Sequence, residues 1–201
     1  MRMRSLVRWA GLAVVGAATV SCGDVVTSND ASVMLKVNSL AAGTTASAFL
    51  LSDVIRNVIA PPCSAASPCP TVFNDTGTAS LGVLMKDVSP TAPAPSTNNS
   101  VTVTRYRVVF RRADGRNVPG VDVPHAFDGA VTATIAAGGT GSTGFELVRH
   151  VAKGESPLVQ LIDNPNTIST IADVTFYGSD QVGNDVSATG SILVEFGNFG
   201  D

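Results

Sequence analysis

The sequence predicts an all-β protein, an antiparallel β-sandwich of roughly eight strands in a single domain. Three observations carry this expectation. Near the carboxyl end, residues 171–177 and 186–196 alternate apolar and polar side chains with the two-residue period of strands that bury one face. Turn-forming pairs at Asp114-Gly115, Pro119-Gly120, Asp128-Gly129 and Gly138-Gly139 separate short apolar segments. Charged residues make up only 14% of the chain while Val, Thr, Ala, Ser and Gly abound, which suits pleated sheet better than amphipathic helix.

Taken in order, the chain begins with Arg2, Arg4 and Arg8 ahead of an uncharged run over 9–20. A basic start, a short apolar core and small residues after it describe a secretory signal over 1–21, since a membrane span needs about 20 apolar residues. Thr19-Val20-Ser21-Cys22 resembles a bacterial lipobox, with Thr19 where Leu is usual. The resemblance implies that Cys22 becomes the lipidated first residue of a mature lipoprotein, with 22–31 as a polar tether. Ordinary cleavage among Ala17, Ala18 and Ser21 is the alternative. The chain has three cysteines, and Cys63 and Cys69 lie close together in a proline-rich segment. If those two pair, as export permits, Cys22 is left over for another use. Such a disulfide closes a short loop and contributes about 2 kcal/mol.

The domain expected over 32–201 opens with a strand at 32–40, where Val33, Leu35 and Val37 share a face. Residues 48–59 fit neither the strand nor the helix period cleanly. The strand at 79–88 aligns Leu81, Val83 and Met85. Prolines across 89–100 remove ladder donors, so this segment is a sheet-to-sheet crossover or a linker between two smaller β units. Strands follow at 101–111, 130–136 and 144–151, and the last pair forms a hairpin connected through 178–185. Within that connection, Asp180-Gln181-Val182-Gly183-Asn184 resembles the turn before the last strand of bacterial immunoglobulin-like and fibronectin-like surface modules. This implies an immunoglobulin-like sandwich without antibody-type recognition, because the buried Trp and inter-sheet disulfide of antibody domains have no counterparts here. The arrangement also resembles that of exported bacterial lipoproteins.

Several residue groups could carry chemistry. Gly139-Thr140-Gly141-Ser142-Thr143-Gly144 matches a dinucleotide-binding pattern, with Asp163 about twenty residues on as a ribose partner. The flanking strands alternate instead of showing the continuous apolar runs of a parallel sheet, so a loop joining antiparallel strands is expected instead. His125 and His150 are the two histidines, and neither sits near a nucleophile elbow. Asp180, Asn184 and Asp185, with Asp122 and Asp128 from other loops, supply a partial oxygen set for calcium; the alternative is capping of the hairpin turn by these side chains. Arg105, Arg107 and Arg111 share a face with Val101, Val103 and Val109, while Tyr106, Val108 and Phe110 line the other. Those arginines are either a patch for an anionic ligand or charged cover on a solvent face.

Without the signal, ten basic residues face sixteen acidic ones, a net charge of −6. That balance excludes a phosphate-reading surface, so no nucleic-acid partner is expected, and no cofactor either. The functional expectation is a non-enzymatic structural or interaction module at the cell envelope. Its partners would be the membrane, through the lipid anchor, and envelope proteins or polysaccharide. Carbohydrate or envelope-polymer binding is one alternative, and a secreted hydrolase is another.

Overall fold

The computed structural model describes residues 31–43 and 46–200; the signal over 1–21, Cys22 and the tether up to residue 30 lie outside the described residues. Ten strands are present among the described residues: β1 (Val33–Ala42), β2 (Phe49–Asp53), β3 (Arg56–Val58), β4 (Cys69–Thr71), β5 (Asp75–Met85), β6 (Val101–Arg111), β7 (Phe127–Ile135), β8 (Thr140–Val148), β9 (Ile168–Asp180) and β10 (Asp185–Gly197). They form a three-stranded sheet β1-β5-β8, a five-stranded sheet β2-β10-β9-β6-β7 and a small β3-β4 ladder. The five-stranded sheet curls as a half-barrel. The all-β expectation therefore holds. The all-antiparallel one does not: β2 runs parallel to β10, with Phe49 opposite Leu193 and Asp53 opposite Gly197. The chain leaves the three-stranded sheet after β1 and joins the end of the last strand, which fixes that direction.

Residues 48–59 are irregular in pattern because they hold two short strands of different sheets, β2 and β3. The Cys63–Cys69 disulfide forms, with Cα atoms 5.6 Å apart, and closes the loop between β3 and β4. The glycine-rich segment 139–144 is not the expected loop. It is the first half of β8, where Gly141 pairs with Leu81 and Gly144 with Thr78. Its missing side chains make room for neighbours, since a Cβ at Gly141 would lie 2.9 Å from Ile135 Cγ1. The strand expected to reach residue 151 stops at Val148, and His150–Lys153 form a short helix, α1.

The expected final hairpin forms, with β9 and β10 paired antiparallel from Asp185 opposite Ser179 to Phe196 opposite Ile168, but its connection is shorter than the expected 178–185: β9 runs on to Asp180 and β10 begins at Asp185, so the turn is 181–184. Their inner residues Ala172, Val174, Phe176, Ile192, Val194 and Phe196 are buried beneath the other sheet. Strand β6 departs from simple alternation. Its ladders to both β7 and β9 shift register between Val103 and Arg105: there β6 carries one residue more than β9, and β7 one more than β6. This bulge turns Val101 and Val103 to the same buried side as Tyr106, Val108 and Phe110, and leaves Arg105, Arg107, Val109 and Arg111 outside. The face shared by valines and arginines in the sequence is thereby split into two. Opposite the bulge, a Cβ at Gly178 would fall 2.4 Å from the Thr102 carbonyl oxygen, so no side chain fits.

Rings join the two sheets. Tyr106 of β6 packs against Phe145 of β8 at 5.4 Å between centroids, and Phe145 meets Phe176 of β9 edge-on at 5.6 Å. Its hydroxyl accepts from the Glu146 amide at 3.1 Å, satisfying the one polar atom of this cluster. The proline-rich segment 89–100 crosses from β5 of one sheet to β6 of the other and is tied down near its end, where Asn99 Nδ2 donates to Ser32 Oγ at 2.8 Å.

A second tie is ionic. Lys153, only 1% exposed, is among the largest fully buried side chains. Its ammonium lies 2.9 Å from Asp75 Oδ2 and donates to the Asp53 carbonyl at 2.8 Å, while Ser52 Oγ donates to the same Asp75 oxygen at 2.6 Å. Residues from α1, β5 and β2 thus share one carboxylate. Removing one partner of a buried pair leaves an uncompensated charge. Asp75→Ala is expected to lower unfolding free energy by about 3–5 kcal/mol in urea titrations, and Lys153→Met with Asp75→Leu to recover most of that loss. Equal losses in the single and double variants would rule out the stranded charge as the cause.

Candidate functional site

The outer face of the five-stranded sheet is laid out in cross-strand rows. One row sets Arg105 of β6 beside Tyr177 of β9 and Ser187 of β10. The Arg105 guanidinium lies over the Tyr177 ring at 4.2 Å from its centroid. The next row sets Arg107 beside Thr175 and Thr189, whose hydroxyls lie 2.8 Å apart. Asp128 of β7 is shared by both arginines, at 3.1 Å from Arg105 Nη1 and 2.7 Å from Arg107 Nη1. Arg111 makes its own pair with Asp173, Nε to Oδ2 at 2.5 Å. The hydrogen bond from Arg111 and that from Ser191 hold the Asp173 carboxyl below its ordinary range, although burial opposes ionisation. The three arginines singled out by the sequence are therefore not equivalent: Arg111 is matched one to one, whereas Arg105 and Arg107 bring two positive charges to one carboxylate.

Next to that row is a cleft of about 480 Å3. Its lining includes Val33 and Met34 of β1, Lys86 just after β5, Thr104 and Arg105 of the bulge, Tyr177 and Ser179 of β9, and Asp185 and Ser187 of β10. The wall has its shape because β2 accompanies only Leu193–Gly197, so the first half of β10 runs on without it. Lys86, Thr104, Tyr177, Ser179 and Ser187 were not singled out by sequence. They are spread over three strands and the residue after β5, and come together only through the sheet register and the β6 bulge, neither of which leaves a local motif.

The remaining expected site residues fall elsewhere. Asp180 is buried and caps its own hairpin, accepting from Val182 N at 3.0 Å, Asn184 N at 2.9 Å and Asn184 Nδ2 at 2.8 Å. Burial works against its ionisation, and these donors outweigh it, so its carboxyl titrates below the ordinary range. Gly183, at φ 94°, supplies the left-handed residue the turn requires. This is the turn-capping alternative, and no group of three or more His, Cys, Asp or Glu able to hold a metal occurs among the described residues. Asp122 Oδ2 accepts from Val118 N at 3.1 Å in its own loop. His150 Nδ1 lies 2.8 Å from Asn74 Oδ1, which also accepts from the His150 amide at 2.6 Å. His125 packs over Gly120, where a Cβ would fall 2.6 Å from its Nε2.

No family model and no curated protein matches this chain. Among solved structures, one described as "X-ray structure of Northeast Structural Genomics Consortium target SoR45" is similar over 81% of this chain and 86% of its own length, with a TM-score of 0.36 and 10% identity. A likeness this loose carries no argument about fold or function.

Asp180 makes the hairpin sensitive to acid in a defined direction. A carboxyl whose folded pKa is depressed adds stability that is present above its unfolded value of about 3.9 and is lost as pH falls through the folded one. Asp180→Asn should therefore flatten the acid limb of the stability curve below about pH 4 relative to the parent chain, measured by thermal unfolding at stepped pH. Parallel acid limbs would show that this carboxylate is not a source of the dependence.

Proposed function

We propose that this chain is a non-enzymatic interaction module of the cell envelope: an exported, immunoglobulin-like β-sandwich, lipid-anchored through Cys22, that holds an envelope component in the cleft between β1 and the β9–β10 hairpin. The observation that carries this reading is the cleft itself. Polar and charged side chains from three strands converge on one concavity, and strands hold side chains in place more firmly than loops do. The immunoglobulin-like part rests on two facing sheets with a common core and on the final hairpin, which closes with a buried Asp and a left-handed Gly. The anchor rests on the Thr19-Val20-Ser21-Cys22 sequence and on the Cys63–Cys69 bond, which uses the other two cysteines. In the tethered form the cleft stays near the membrane while the tether gives the domain reach.

Metabolic acyl labelling tests the anchor: the parent chain should take up label and Cys22→Ser should not, whereas equal label in both would rule the anchor out. Site-specific photocrosslinking tests the cleft. A photoreactive residue at Ser187 should give adducts with intact envelope, and one at exposed Ala66 in the disulfide loop should not. Equal yield at both positions would mean that the cleft has no privileged contact.

A further inference from the structure

We infer that the cleft takes an extended polypeptide segment, which adds itself as a strand to the free edge of β10. This rests on the proposed binding role of the cleft and names the class of its partner. The first observation is the direction in which the β10 backbone points. Asp180 N donates to the Asn184 carbonyl at 3.0 Å, and the ladder continues from there in unbroken register, with Val186 opposite Gly178 and Ala188 opposite Phe176. Antiparallel pairs exchange both bonds at every second position, so the even-numbered residues direct their N–H and C=O groups to β9. The odd-numbered ones point the other way. Gly197 displays this, since its carbonyl accepts from Val54 N at 3.0 Å beside β2. Strand β2 reaches back only to Phe49, opposite Leu193, and no strand among the described residues pairs with this side of Asp185, Ser187, Thr189 and Ser191.

The second is that open strand edges form both lips of the cleft. Asp185 and Ser187 belong to one lip, and Val33 and Leu35 of β1 to the other. Lys86 N donates to the Ser32 carbonyl at 3.0 Å, so by the same alternation Val33 and Leu35 turn their backbone groups away from β5, toward the open side. The lips meet further along, where a Cβ at Gly190 would fall 2.7 Å from Val37 Cγ1. Toward Asp185 they part, and the concavity of about 480 Å3 lies between them. A row of main-chain donors and acceptors repeating at every second residue is matched by another extended main chain.

The third is what the side chains of β10 do. Thr189 Oγ1 lies 2.8 Å from Thr175 Oγ1, and Ser191 Oγ donates to Asp173 Oδ1 at 2.6 Å. These hydroxyls turn back onto β9, so the edge itself offers main chain. It is also unguarded. Residues 186–192 hold no Lys, Arg or Pro, the residues that ordinarily protect an exposed edge from pairing. By contrast, the outer edge of β2 is capped where the Asp53 carbonyl accepts from Lys153 Nζ at 2.8 Å. On the far side of the sandwich β8 lies against β7, where a Cβ at Gly141 would fall 2.9 Å from Ile135 Cγ1. A strand entering beside Asp185 and Ser187 presents alternate side chains inward, toward Val33 and Val186, and outward to solvent. Its chemistry is therefore alternation of small or β-branched apolar residues with polar ones.

A seven-residue peptide of alternating Thr and Val, blocked at both ends, tests this on the folded chain by amide hydrogen exchange. In the chain alone the Asp185 and Ser187 amides should exchange rapidly, while those of Val186 and Ala188, bonded to β9, are protected. With the peptide at millimolar concentration, exchange at Asp185 and Ser187 should slow by about tenfold or more. Ser187→Pro removes an outward donor and leaves the β9 ladder whole, so it should weaken the peptide by about tenfold while Ala188 and Gly190 stay protected. Two further peptides, N-methylated at the Thr or at the Val residues, probe the same bonds without altering the protein, and at least one of them should lose binding. Protection of Asp185 and Ser187 in the chain alone, no binding at millimolar concentration, or full binding by both methylated peptides each overturns the inference. So does a concentration-dependent dimer in sedimentation that Ser187→Pro abolishes, because a second copy then takes the edge. Should the peptide fail while the Ser187 crosslink to the envelope persists, the polypeptide class is wrong and the cleft reading survives; failure of both removes both.

Discussion

Opposite Gly178, β6 carries one residue more than β9, and most of the architecture follows from that insertion. Without it, the strand would bury Tyr106, Val108 and Phe110 at one end and expose Val101 and Val103 at the other, because side chains alternate strictly along a regular strand. With it, all five residues enter one core, and the ladders on both sides resume in register beyond the bulge. The same insertion places Thr104 and Arg105 at the wall of the cleft. The bulge thus couples core formation to the geometry of the surface above it, and Gly178 is the residue that lets the backbones come close enough.

Two different ties hold the sheets to each other. The ring cluster of Tyr106, Phe145 and Phe176 is apolar and central, and its stabilisation grows with buried area. The Lys153–Asp75 pair is polar and lies where α1, β5 and β2 meet. Buried pairs of this kind contribute little net stability compared with well-packed hydrocarbon, yet they tolerate only one arrangement of their partners. Ser52 and the Asp53 carbonyl complete that arrangement, so the short strand β2 is held at its end by polar contacts as well as by its ladder to β10.

Much of the fold was legible in the chain because it depends on local period. The final hairpin, most of β1, the part of β5 from 79 to 85 and the bounds of β6 follow from alternation, and the disulfide from the proximity of Cys63 and Cys69. What could not be seen depends on residues far apart. The parallel docking of β2 on β10 has no local signal, since a five-residue strand looks the same in either direction. Gly139 to Gly144 resembles a loop in isolation, and most of it becomes a strand only because β5 lies beside it, with Ile135 filling the space at Gly141. Lys153 sits in an unremarkable Ala-Lys-Gly setting, and nothing nearby announces that Asp75 will meet it. Arg105 was identified with its neighbours, but its sharing of Asp128 with Arg107 and its stacking on Tyr177 are matters of cross-strand register.

The proline-rich crossover between β5 and β6 has an evolutionary corollary. Residues 89–96 are exposed apart from half-buried Ala92, and the anchoring contacts begin only at Ser96 and Asn99. Each doubling of such a segment adds only about 0.6 kcal/mol of closure entropy. Relatives of this chain can therefore diverge in length here, or accept whole inserted modules, while the strands on either side keep their register.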